Sequence, residues 1–164
     1  MERMRDCIEQ FDTTQNWALL PFFMTATAEI VGMYGDTDGA VALLNRAAEL
    51  VHSTGERWCE SEIIRLQAQF SARDAEHARH LLTTSLNLAR QQRAKLWELR
   101  AATSLANVWL EQGNRQAGRE ALAPVHAWFT EGLTTPDLVA ARTLLDRLEG
   151  DHEARPTRIL RSVT

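Results

Sequence analysis

Apolar positions along most of the chain recur at steps of three and four, the spacing of one face of an α-helix. The clearest runs are Met24, Ala28 and Val31; Ala40, Leu44 and Ala47; Ile63, Leu66 and Phe70; Ala78, Leu82 and Ser85; and Ala102, Leu105, Ala106 and Trp109. Leu122 and Val125, then Leu138, Leu144, Leu145 and Leu148, continue the same period. The pattern predicts helices over 2–12, 16–34, 37–53, 56–72, 75–92, 95–112, 115–130 and 136–149. Gly35 and Gly113 fall where a helix must end in a left-handed turn, and Asp36 or Asn114 can cap the helix that follows. Pro124 lies inside the seventh segment, which is expected to kink or restart there. Ala and Leu dominate a chain with only 8 Gly and 4 Pro, which adds to the expectation of an all-α protein.

The helical pattern repeats. Trp17, Trp58 and Trp97 stand about 40 residues apart, each ahead of an apolar-periodic stretch, and are expected to fill equivalent places between repeats. Ala40, Ala78 and Gly118 each open a second helix, where a small side chain lets two backbones approach closely. The units read as helical hairpins over 16–53, 56–92 and 95–130, flanked by helices 2–12 and 136–149, in one domain spanning 1–150. A flexible basic tail, 151–164, carries Arg155, Arg158 and Arg161. These residues resemble tetratricopeptide (TPR) repeats, clearly in the first and third units. The second departs from the pattern, with Arg73-Asp74 in place of Gly-Asp and a turn one or two residues short. The period also exceeds the usual length of about 34. The resemblance implies hairpins stacked as a right-handed superhelix, an α-solenoid of about seven or eight helices.

A narrower likeness rests on Thr54 to Trp58, Glu98 to Ala106, and Ala123-Pro124-Val125-His126-Ala127-Trp128-Phe129-Thr130-Glu131-Gly132 with Asp137-Leu138 and Leu144-Leu145-Asp146. These runs are similar to the carboxy-terminal repeats of large bacterial predicted ATPases, many of which carry a class III adenylate or guanylate cyclase domain. That likeness implies a repeat module rather than a catalyst: a scaffold or regulatory arm whose protein or peptide partners include the ATPase or cyclase domains of a parent protein. The chain contains no GxxxxGK[ST] phosphate loop. An effector-sensing domain for a small molecule is the alternative.

Charge narrows the partners further. A net charge of −4 disfavours nonspecific nucleic-acid and anionic-membrane binding, which need a positive field. No uncharged stretch reaches the roughly 20 residues a bilayer-spanning helix needs, and residues 1–12 lack a signal-peptide core. Two distant cysteines, Cys7 and Cys59, are expected as unpaired thiols in a cytoplasmic protein. His77 and His80 share a helix face without a third ligand, and Asp36-Thr37-Asp38-Gly39 lacks the closing glutamate of a calcium loop, since Ala47 stands there. Cys59 beside Trp58 reads as core rather than as a nucleophile. No catalytic residue, metal or cofactor is assigned.

A hairpin solenoid lines its concave surface with the first helix of each unit. In the register above, Phe22, Thr25, Glu29 and Met33 are expected to face the groove, followed by Arg65 and Ala68, then Arg100, Thr103, Ser104, Asn107 and Glu111. Thr103 stands where repeats that clamp a terminal carboxylate carry lysine, which disfavours chaperone-type binding. At the amino end, Met4, Cys7, Ile8 and Phe11 form only a narrow stripe, so Phe22 and Phe23 are expected to stay partly uncovered and to support a homodimer.

Overall fold

The computed structural model describes residues 18–150, and seven α-helices account for most of them, with no strand among the described residues. They are α1 (Leu20–Met33), α2 (Thr37–Thr54), α3 (Glu60–Ser71), α4 (Ala75–Gln91), α5 (Lys95–Glu111), α6 (Arg115–Ala127) and α7 (Pro136–Glu149). The expected helix 2–12, the tail 151–164, Cys7 and Trp17 lie outside the described residues.

The turns explain most of the boundaries. At the end of α1, Gly35 takes a φ of 92°, its N–H bonds to the Gly32 carbonyl, and the Asp36 N–H reaches back to Val31. Asp36 then turns its side chain to the Gly39 N–H at 2.9 Å, so one residue closes α1 and caps α2. The α5–α6 turn repeats this with Gly113 at 75° and Asn114 accepting from Ala117. The α4–α5 turn has the same backbone bonds, from Arg93 to Arg90 and from Ala94 to Ala89, but Arg93 holds the left-handed position without being glycine.

Between α3 and α4 the linker is Ala72-Arg73-Asp74, three residues as in the other two hairpins, which corrects the expectation of a shortened turn. Ala72 is extended there, and Asp74 caps α4 through the His77 N–H at 2.8 Å. Counting back from the caps Asp36, Asp74 and Asn114 sets the register of the second unit. Glu62 occupies the place of Met24 and Ala102, and Arg65 that of Thr27 and Leu105. The same count puts Trp58 and Trp97 out of step by one, so these two tryptophans are not equivalent. Trp58 precedes α3, stacks on Phe22 at 5.3 Å and donates to the Ala18 carbonyl, whereas Trp97 sits in the first turn of α5. The loop that carries Trp58 also explains why α3 begins at Glu60 rather than near 56. α6 continues through Pro124 without a restart.

Each helix packs on the next. In addition α1 touches α3, α3 touches α5 and α5 touches α7, while no two of α2, α4 and α6 meet. The odd-numbered helices therefore form a row, with the even-numbered ones set against it. Two apolar cores result. Leu20, Met24, Val31, Leu44, Val51, Cys59, Ile63 and Leu66 make one. The other runs from Ala68 through Leu82, Leu86, Leu99, Leu105 and Leu122 to Leu138, Leu144, Leu145 and Leu148 on α7. α3 contributes to both and crosses α4 at a buried serine pair: Ser61 donates to the Ser85 carbonyl at 3.0 Å and Ser85 to the Ser61 carbonyl at 2.7 Å.

Candidate functional site

The row of odd helices carries a continuous ladder of charge. Arg65 on α3 is buried and grips Glu62 one turn earlier with two bonds of 2.8 Å. Its other terminal contacts reach Glu29 on α1 at 2.7 Å and the Gln69 amide oxygen at 3.4 Å. Glu62, itself buried, also accepts from Arg100 on α5 at 2.8 Å, and Arg100 holds Asp137 on α7 through bonds of 2.9 and 3.3 Å. Glu29, Arg65, Glu62, Arg100 and Asp137 thus tie four helices together. The Trp97 ring lies 5.6 Å from the Arg100 guanidinium carbon.

Burial of Arg65 works against its charge, but the hydrogen bonds and field of Glu62, joined by Glu29, outweigh it and hold the guanidinium above its ordinary pKa. Arg100 behaves alike: burial opposes its charge, and Glu62 and Asp137 overcome the opposition. A paired and hydrogen-bonded cluster of this kind is the form in which buried charge is tolerated.

Two clefts open over the ladder. The first, of about 140 Å³, is lined by Glu29, Arg65, Arg100, Thr103, Ser104 and Asp137. The second, of about 220 Å³, shares Arg65 and Ser104 with it and is floored by Ala68, Ala78, Leu82 and Val108, with Asn107 at its edge. Together they form a groove that is charged at one end and apolar at the other. Thr103 donates its proton to the Leu99 carbonyl at 2.8 Å, which leaves only its lone pairs for a ligand.

Of the residues expected in the groove, Glu29, Arg65, Arg100, Thr103 and Ser104 meet in the first cleft, and Ala68 and Asn107 line the second. Thr25 is buried, with its hydroxyl bonded to the Pro21 carbonyl at 2.6 Å, and Phe22 packs against Phe23 and Trp58. Met33 and Glu111 are exposed and line neither cleft. The sequence reading missed Glu62 and Asp137. Glu62 stands at the buried place that Met24 and Ala102 hold in the other units, where periodicity expects an apolar side chain, and Asp137 on α7 faces Arg100.

Cys59 is fully buried, and burial pushes its thiol up to about 11. The His77 ring nitrogen accepts from the Arg73 N–H at 3.2 Å. No group of three or more metal-ligating side chains occurs among the described residues, and no helix there is long and apolar enough to cross a membrane. Trp109 lies under Arg79 at 4.6 Å, whereas Trp128 sits beside Phe129 and Lys95. Comparison with known proteins finds no family model, no curated protein and no solved structure that matches this chain.

Proposed function

We propose that the chain is a non-catalytic protein–protein interaction module, a tetratricopeptide-like α-solenoid wound as a right-handed superhelix that holds an extended partner segment along α1, α3, α5 and α7. The observation that carries this reading is the asymmetry of the packing: the first helix of each hairpin touches the first helix of the next, and the second helices stay apart. Hairpins stacked in this way build a curved strip with one helix per unit on its inner side. The first cleft is lined by odd-numbered helices alone, and the second is shared with Ala78 and Leu82 of α4, which supports a groove along the odd row. Its role as a scaffold or regulatory arm of a bacterial signalling ATPase or cyclase rests on the sequence resemblance alone, as does a cytoplasmic location on composition.

Photo-crosslinking tests the reading. A benzoylphenylalanine at Asn107 in the groove is expected to capture a protein partner from a lysate of the source organism, while the same group at exposed Glu49 on α2 does not. Capture from Glu49 alone would overturn it. The compact charged cleft favours a second reading, an effector-sensing domain. A metabolite that raises the melting temperature without any protein partner would support that reading instead.

A further inference from the structure

We infer that the segment held in this groove presents a lysine to Glu29 and Thr103, beside an aliphatic side chain that enters the cleft over Ala68 and Leu82; the inference rests on the interaction-module reading.

The charge and the bonding of the ladder decide the sign. Three carboxylates face two guanidinium groups, so the cluster carries a net charge of −1. Both Glu62 oxygens are taken by Arg65 and Arg100, and both Asp137 oxygens by Arg100. Glu29 differs. Its Oε1 meets Arg65 at 2.7 Å, but the Arg100 nitrogen is 3.9 Å from its Oε2, beyond hydrogen-bond distance, and the side chain is one-third exposed. Thr103, its proton committed, adds an acceptor to the same cleft.

An ammonium brings three donors and the missing positive charge. A carboxylate could reach the spare N–H groups of Arg100, but it would add a fourth negative charge to a cluster that already carries one in excess, with no further cation to balance it. The adjoining cleft has an Ala, Leu and Val floor and shares Arg65 and Ser104 with the charged one, so an aliphatic side chain near the lysine is accommodated without a second charge.

An array of acetylated, amidated peptides tests this, with Lys, Gln or Glu at one position and Leu or Ser at a nearby one, read against the full chain and followed by anisotropy titration. Lys/Leu peptides are expected to bind best, to lose about five-fold on changing Lys to Gln, and to weaken as salt rises. Glu29→Gln, which keeps an acceptor for Arg65, is expected to abolish the Lys-over-Gln preference, and Asn107→Trp to abolish the Leu preference, both at unchanged helicity. A preference for Glu peptides that Asn107→Trp still blocks would overturn the inference while leaving the groove reading intact. Lys-selective binding that neither variant changes, or no peptide binding while Asn107 still crosslinks to a protein, would overturn it too. If Glu49 rather than Asn107 captures the partner, the groove reading falls with it.

Discussion

Glycine at position 118 shows how one side chain sets the distance between two helices. A Cβ there would stand 3.1 Å from the Ala106 carbonyl oxygen and 3.0 Å from a Leu148 methyl, so α6 lies against α5 at a separation that alanine exceeds. Helix propensity alone favours Gly118→Ala by about 1 kcal/mol, whereas overpacking costs about 1–3 kcal/mol and here meets backbone that cannot rotate away. Gly118→Ala is therefore expected to lose about 1 kcal/mol net, lowering the melting temperature by roughly 2–4 °C; a higher melting temperature would mean that α6 can step back. Cys59 supplies a test of burial. Its thiol ionises at about 11 in the fold against 9.0 ordinarily, because burial disfavours the thiolate. Below pH 9.0 both folded and unfolded thiols are protonated and the contribution is fully present. Between pH 9.0 and 11 only the unfolded thiol ionises, so stability falls as pH rises. The loss, roughly 2–3 kcal/mol by pH 11, should appear as the difference between wild type and Cys59→Ala in urea titrations across that range.

Helix positions were legible to within a few residues wherever a cap residue or a glycine marks them, as at Asp36, Gly35, Gly113 and Asn114. The α4–α5 turn has the same hydrogen bonds but neither marker, with Arg93 at a φ of 56° and uncapping Ala94. Non-glycine residues pay roughly 1–2 kcal/mol for that conformation, and glycine pays about 0.4–1 kcal/mol of unfolded-state entropy. Arg93→Gly is thus expected to stabilise by up to about 1 kcal/mol, measured by chemical denaturation. The site was less legible than the turns. In α3 both faces are covered, so Ser61, Glu62 and Arg65 are buried along with Ile63 and Leu66, and the helix wheel gives no polar side on which to place the charges. Periodicity sorts apolar from polar, and a paired buried charge defeats that sorting. Removing Glu62 leaves Arg65 with Glu29 and Arg100 with Asp137, so Glu62→Ala is expected at the lower end of the buried-pair range, about 3 kcal/mol. Glu62→Gln, which keeps one acceptor, should cost less, and a Glu62→Ala cost below about 1 kcal/mol would show that the ladder contributes little.

At the scale of the whole molecule, the two ends of the helical row differ. Among the described residues α7 is the last helix of the row, and it buries Leu138, Ala141, Leu144, Leu145 and Leu148. At the other end α1 buries Leu20, Met24, Ala28 and Val31 but leaves Leu19, Phe23 and Ile30 between 37% and 43% exposed, with Met33 and Tyr34 more so, among the described residues. Leu19, Phe23 and Ile30 are spaced by four and seven, so they share one face of α1, and Tyr34 continues it. Contiguous apolar surface of this kind marks a contact site, and a second copy presents the same face for a two-fold, self-complementary pairing. The homodimer expected from the sequence is tested at the face of α1 that carries Ile30 and Tyr34 rather than at Phe22, which Trp58 covers. Light scattering after size exclusion at tens of micromolar protein should give twice 18.5 kDa. Ile30→Glu with Tyr34→Ser should return the mass to one copy without changing helicity, because neither residue belongs to the buried core. A wild-type chain that runs as a single copy, or a dimer untouched by the double variant, would reject pairing through α1.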